Sequence, residues 1–288
     1  MNSQVGVTEN TQSSAEPDVS FKDWLAVIGS SIGAFMAVLD IQITSSSLRD
    51  IQGGLGASVD EGSWISTSYL IAEIVTIPLT GWLAKSFSAK RYIIANATLF
   101  VVFSMLCGFA NDLNSMIISR ALQGFTGGVL IPMSFAIVLQ KLPPSKQPIG
   151  LALFAISATF APSIGPALGG YITDTFGWRY IFFINLMPGI LFTAALMFSL
   201  PKTKPQYDLL KQADIFGIVT MAAGLSSLIY VLEEGQRNDW FGSQVIQHAA
   251  WIAICIPLFI IRELCATHPL VQLRTFANRT LYRHQSLT

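Results

Sequence analysis

The sequence predicts an all-α polytopic membrane protein, and three observations carry that reading. Only 12% of the 288 residues are charged and 52% are apolar, against roughly 25% charged in an ordinary soluble domain; the mean hydropathy is +0.54. A window of about 19 residues picks out eight apolar segments, each long enough for the ~20 residues that cross a bilayer as a helix. The loops between those segments alternate in basic content, as the positive-inside rule requires.

Taken in order, residues 1–21 are polar and mildly acidic, with Glu9, Glu16 and Asp18 and no basic stretch ahead of an apolar core. They read as a disordered cytoplasmic tail and not as a signal peptide. Spans follow at about 22–45, 62–84, 92–111, 113–139, 147–172, 178–199, 213–232 and 245–264. The connections at 85–91, 140–146 and 200–212 hold Lys85, Lys90, Arg91, Lys141, Lys146, Lys202, Lys204 and Lys211, whereas the opposite set holds only Arg49, Arg179 and Arg237. Arg274, Arg279 and Arg283 follow the eighth span, and an even number of crossings then places both termini in the cytoplasm.

Several function classes are excluded at this level. The formal net charge is zero, so there is no basic field to neutralise a phosphate backbone, and no nucleic-acid partner is expected. No HExxH, GxSxG or Walker loop occurs, and His248, His268 and His284 are scattered; no enzyme activity, cofactor or metal site is expected. Cys107, Cys255 and Cys265 are odd in number, and the first two lie in apolar stretches, which suits packing better than a disulfide framework.

Three charges fall inside the spans away from their ends: Asp40 in the first, Glu73 in the second and Arg120 in the fourth. Each costs on the order of 3 kcal/mol at mid-bilayer and therefore faces the protein interior or a wet cavity. Arg120 opens the run RALQGFTGG, in which Arg120, Gln123, Gly124, Gly127 and Gly128 recur at offsets of three and four and share one helix face. Two readings stand for Arg120: a cavity-lining arginine that pairs with a carboxylate and alters its proton affinity, or a structural ion pair in a bundle. The glycines beyond it form a groove for a closely approaching helix. Asp40 precedes a polar stripe of Gln42, Thr44, Ser45 and Ser46 and reads either as a proton-titrating carboxylate or as a helix-positioning acceptor. Glu73 has fewer polar neighbours in sequence and is the third candidate for proton coupling.

In the fifth span the stretch APSIGPALGG, residues 161–170, places Ala161, Gly165 and Gly169 four apart, a small-residue ridge that lets two helices approach. Pro162 and Pro166 each delete a backbone donor and bend the helix. A bent, closely packed helix can rock between two arrangements; plain tight packing is the alternative.

These residues resemble motifs of the major facilitator superfamily. APSIGPALGG resembles its fifth-helix antiporter motif, with Ala161, Gly165, Pro166, Gly169 and Gly170 at the pattern's positions. RALQGFTGG resembles the fourth-helix motif of proton-coupled members, mapping its arginine to Arg120, and AVLDIQIT resembles the first-helix motif of the fourteen-helix drug/proton antiporters of the EmrB/QacA type, mapping its acid to Asp40. GWLAKSFSAKR stands where the superfamily has a Gly-x-Leu-Ala-Asp-Arg-x-Gly-Arg-Arg loop: Gly81, Lys90 and Arg91 match, while Lys85 replaces the acid and Ser88 the second glycine. GWRYIFFINLMPG resembles the opening of helix six, residues 214–243 resemble the additional linker helices, and residues 269–281 the approach to helix seven.

The resemblance implies a six-helix N-terminal bundle at 22–200, two linker helices at 201–265 and a cytoplasmic tail at 266–288. It also implies proton-coupled export of amphipathic small molecules across a bacterial inner membrane, and in two-membrane organisms a periplasmic adaptor and an outer-membrane channel as partners. A transporter of this type has a second six-helix bundle across a central cavity, which the resemblance does not reach. Truncation is therefore expected, with a non-transporting membrane fragment, or a split transporter completed by a second chain, as the alternative.

Overall fold

The computed structural model describes residues 18–266 and residue 270; Arg274, Arg279, Arg283 and most of both predicted tails lie outside the described residues. The described chain folds as helices α1 (Phe21–Ser46), α2 (Leu48–Leu55), α3 (Val59–Phe87), α4 (Ala89–Phe109), α5 (Leu113–Gly127), α6 (Leu130–Lys141), α7 (Gln147–Phe176), α8 (Tyr180–Phe183), α9 (Leu186–Ser199), α10 (Asp208–Lys211), α11 (Ile215–Glu234) and α12 (Ser243–Cys265). Among the described residues, eight helical stretches are long and apolar enough to cross a membrane. Four of their starts are set by side-chain caps: Ser20 with Asp23 and Ser58 with Glu61 form reciprocal capping boxes at α1 and α3, and Asp112 and Asp214 cap α5 and α11. Each cap satisfies amides that the first helical turn leaves unbonded.

Two of the predicted spans are not single helices. The fourth breaks between α5 and α6 at residues 128–129, and the sixth between α8 and α9 at residues 184–185. Both breaks lie where a proline, Pro132 or Pro188, supplies no N–H to the carbonyl four residues earlier, at Gly128 and Ile184. The α7 helix, by contrast, runs unbroken from Gln147 to Phe176 through Pro162 and Pro166.

Helix α1 is the hub, packed against α6, α7 and α9, while α3 lies against α5 on one side and α11 on another. One apolar cluster joins Met36, Tyr69, Phe100, Leu130 and Phe192; a second joins Ile43, Ile65, Met116 and Phe182. The outward faces are apolar as well, with Leu99, Val102 and Leu106 on α4, Met197 and Phe198 on α9, and Ile254 and Ile261 on α12 all exposed. A water-soluble surface does not carry apolar area on that scale; a surface facing hydrocarbon does.

Candidate functional site

The charged centre of the bundle is a buried network drawn from five of the spans. Arg120 on α5 places Nη1 2.7 Å from Asp40 Oδ2 on α1, and both side chains are only 1% exposed. The other carboxylate oxygen of Asp40 accepts from Gln123 Nε2 at 3.0 Å and from Asn185 Nδ2 at 2.6 Å. Gln123 Oε1 accepts a second bond from Arg120 Nη1 at 2.8 Å, and Arg120 Nε donates to the Ile65 carbonyl on α3 at 3.3 Å. The guanidinium carbon lies 4.1 Å from the centre of the Tyr69 ring, so the cation is held by an anion, two carbonyl-type oxygens and an aromatic face. Asn185 also donates to Ser104 Oγ, and Ser104 in turn donates to the Phe182 carbonyl.

Sequence reasoning missed Asn185 and Tyr69. Asn185 stands at the α8–α9 break, where the interrupted helix turns it onto Asp40; an asparagine in the apolar run FFINLMPG just before a proline was the available signal. Tyr69 carried none, since a tyrosine in a span reads equally well as packing. Glu73 is buried and lies within electrostatic reach of Arg120 and Asp40, but it forms neither a hydrogen bond nor an ion pair with them.

The glycines of α5 face α3. A Cβ on Gly124 would enter the Tyr69 carbonyl, one on Gly127 would lie 2.7 Å from Tyr69 Oη, and one on Gly128 would lie 2.6 Å from the Glu73 carbonyl. On α7, Ala161, Gly165 and Gly169 form a buried stripe against α1. A Cβ on Gly165 would come 2.5 Å from Gln42 Cβ, and one on Gly169 would strike Ser46 Oγ and come 3.1 Å from the Ile43 carbonyl. Gly170 departs from its expected packing role: it is one residue off that stripe, rotated by about 100° along a 3.6-residue turn, and a Cβ there meets nothing within 4 Å. Pro162 and Pro166 sit on the exposed side of α7.

The loop between α3 and α4 lies at the lysine-rich end. Lys90 Nζ donates to the Met197 carbonyl at 2.6 Å and to that of Leu200, two acceptors that the end of α9 leaves unbonded. Lys85 and Arg91 are exposed, and no atom would meet a Cβ on Gly81. Ser88 has φ 76°, a backbone conformation that favours glycine, and its Oγ lies 2.7 Å from Thr203 Oγ1. The serine substitution in the loop pattern thus keeps the glycine-type turn.

A multi-pass helical membrane protein with an ion pair buried between its spans is the class these features define. A model of the Major Facilitator Superfamily matches residues 30–275, and the chain belongs to that family. Among curated proteins it is 37% identical over 260 residues to the colistin resistance protein EmrB of Acinetobacter baumannii, covering 89% of this chain and 50% of that one. It is 36% identical over 258 residues to the multidrug export protein EmrB of Escherichia coli K12, covering 88% and 50%. The chain thus spans about half the length of the curated relatives it matches. Among solved structures, a peptide transporter POT superposes with TM-score 0.60 at 16% identity over 84% of this chain and 52% of that one. The proton:xylose symporter XylE superposes with TM-score 0.57 at 14% identity over 91% and 57%. At such identities these two comparisons speak to the fold alone.

Proposed function

We propose that this chain forms one wall of a proton-coupled exporter of amphipathic small molecules, in a bacterial inner membrane with both termini in the cytoplasm, and that it is not an enzyme. The observation that carries the proposal is the Asp40–Arg120 pair, buried and bonded to groups on α1, α3, α5 and α8–α9. A carboxylate so held exchanges its arginine for a proton only if the helices around it shift, which ties protonation to rearrangement. In this reading Asp40 and Arg120 couple protons, and Glu73, buried and bonded to neither of them, is a second proton-accepting carboxyl. The close α1–α7 contact at Gly165 and Gly169 is the joint along which the wall moves. The names of the EmrB relatives support drug export. A second bundle, on this or another chain, completes the cavity, and an adaptor protein and outer-membrane channel extend the path in two-membrane organisms.

The test is reconstitution of the purified chain into liposomes with an imposed pH gradient. Substrate-induced proton flux that is lost in Arg120→Ala supports the proposal. Flux that persists in Arg120→Ala overturns the role of the pair, and no flux at all overturns transport by this chain alone in favour of a membrane-embedded partner of a split transporter.

A further inference from the structure

Helices α3 and α5 run side by side in register: the carbonyls of Ile65, Tyr69 and Glu73, one turn apart on α3, face Arg120, Gly124 and Gly128 in turn. Tyr69 lies along that contact. Its ring centre is 4.1 Å from the Arg120 guanidinium carbon, and its hydroxyl ends where a Cβ on Gly127 would stand 2.7 Å away. Gly127 adjoins Gly128, so the hydroxyl reaches the level of Glu73 along α3. The side chain is fully buried, and its Oη has no hydrogen-bond partner among the described residues.

A buried hydroxyl without a partner is costly, and phenylalanine would fill the same space without that cost. The hydroxyl therefore calls for an acceptor in another charge state of the site. The titratable groups within its electrostatic reach are Glu73 on the same helix, Asp40 on α1, Arg120 on α5 and Cys107 on α4. Asp40 is engaged by Arg120, Gln123 and Asn185, and Glu234, on the α11 helix that also packs on α3, is bonded to Thr67. Glu73 is buried and bonded to neither Asp40 nor Arg120. It stands one turn from Tyr69 on a flexible side chain, and it is the acceptor within reach. Charge sets a further limit: one buried guanidinium balances one carboxylate, and a second, unpaired anion beside it is costly.

We propose that Tyr69 is a positioning residue for proton exchange between Asp40 and Glu73: its ring face keeps Arg120 in place when Asp40 is protonated, and its hydroxyl donates to Glu73 when Glu73 is the ionised acid. The two acids then carry one proton between them in either state. The O–H bond broken at Glu73 is made at Asp40, and Arg120 keeps its charge throughout. This role rests on the proton-coupling reading of the Asp40–Arg120 pair, but its test does not need transport.

Infrared titration of the purified full chain in detergent reads each acid by the carboxyl C=O band that Asp40→Asn or Glu73→Gln removes. Tyr69→Phe keeps the ring and deletes the donor to ionised Glu73, which favours the neutral form. A gain of about tenfold in proton affinity at Glu73 is expected, read as an upward move of its midpoint by about one pH unit. Gly127→Ala, whose Cβ takes the space 2.7 Å from the hydroxyl, should move the midpoint the same way while leaving the tyrosine in place. Tyr171→Phe, at an exposed tyrosine on α7, should leave proton affinity within twofold. An unmoved Glu73 midpoint in both Tyr69→Phe and Gly127→Ala, an equal shift in Tyr171→Phe, or a Glu73 band that does not titrate between about pH 4 and pH 10 would each overturn the proposal. A shifted midpoint in a chain that shows no proton flux in liposomes upholds the role of Tyr69 and overturns only transport by this chain alone; flux that needs Arg120 with an unmoved midpoint does the reverse.

Discussion

Asp40→Asn tests whether the buried network is energetically a pair. The change keeps the side-chain shape but removes the one anion bonded to Arg120 among the described residues, where the arginine side chain is 1% exposed. A guanidinium cannot shed its charge, so the cost is that of breaking a buried pair from one side, about 3–5 kcal/mol. Arg120 retains Gln123 Oε1, the Ile65 carbonyl and the Tyr69 face, which sets the expectation at the lower end, about 3 kcal/mol. At about 2–4 °C per kcal/mol for a domain of 150–250 residues, the melting temperature should fall by roughly 6–12 °C. Adding Arg120→Gln to Asp40→Asn removes the stranded charge, and exchanging a whole buried pair for neutral groups is often close to neutral. The double variant should therefore melt above Asp40→Asn alone. Thermal unfolding of the unaltered chain, both single variants and the double variant in one detergent completes the cycle. Effects that add to within about 0.5 kcal/mol would refute the reasoning, showing two independent polar residues in place of a coupled pair.

The α1–α7 contact predicts a positional contrast: Gly165→Leu and Gly169→Leu each cost about 1–3 kcal/mol through overpacking and abolish flux, while Gly170→Leu, facing open space, is tolerated; equal effects at all three positions would remove the close-approach argument. Ser88→Gly should raise the melting temperature by relieving a positive φ of 76°, a gain of about 1 kcal/mol less the lost contact to Thr203, and a fall exceeding 3 °C would show that the Thr203 contact dominates. At the start of α11, burial raises the Asp214 carboxyl, but the Arg262 guanidinium 2.7 Å away and the Gly217 amide outweigh it and hold it below its ordinary range. A lowered value means that the stabilisation is fully present above about pH 4 and is lost as the pH falls through the folded-state value. The melting-temperature gap between the unaltered chain and Asp214→Asn, about 1 kcal/mol in worth because Arg262 is half exposed, should hold from pH 8 to 5 and close below pH 4. A gap unchanged at pH 3 would contradict it.

Much of the fold was legible because lipid imposes one rule over long stretches. A span needs ~20 apolar residues and internally satisfied backbone, so α1, α3, α4, α7, α11 and α12 coincide with the apolar segments to within a few residues. The three intramembrane charges stood out for the same reason, as did the small-residue faces of α5 and α7. The α5–α6 and α8–α9 breaks were written in Pro132 and Pro188, but prolines at 162 and 166 carry the same local signal and leave α7 unbroken. Local chemistry removes the donor at all four; the neighbouring helices decide whether the chain turns there.

The sequence by itself determined that this is a membrane bundle, how many spans the described residues hold, and that Asp40, Glu73 and Arg120 had to face inward, because hydrophobicity and charge cost are properties of single residues and windows. Only the tertiary structure decided which of them meet. Asp40 and Arg120 pair across 80 positions of sequence and recruit Asn185 from a third span, whereas Glu73 does not join them and Gly170 turns away from the contact its neighbour makes. Pairing depends on how each helix is rotated about its axis, and that rotation is fixed by the fit of whole faces against several neighbours at once.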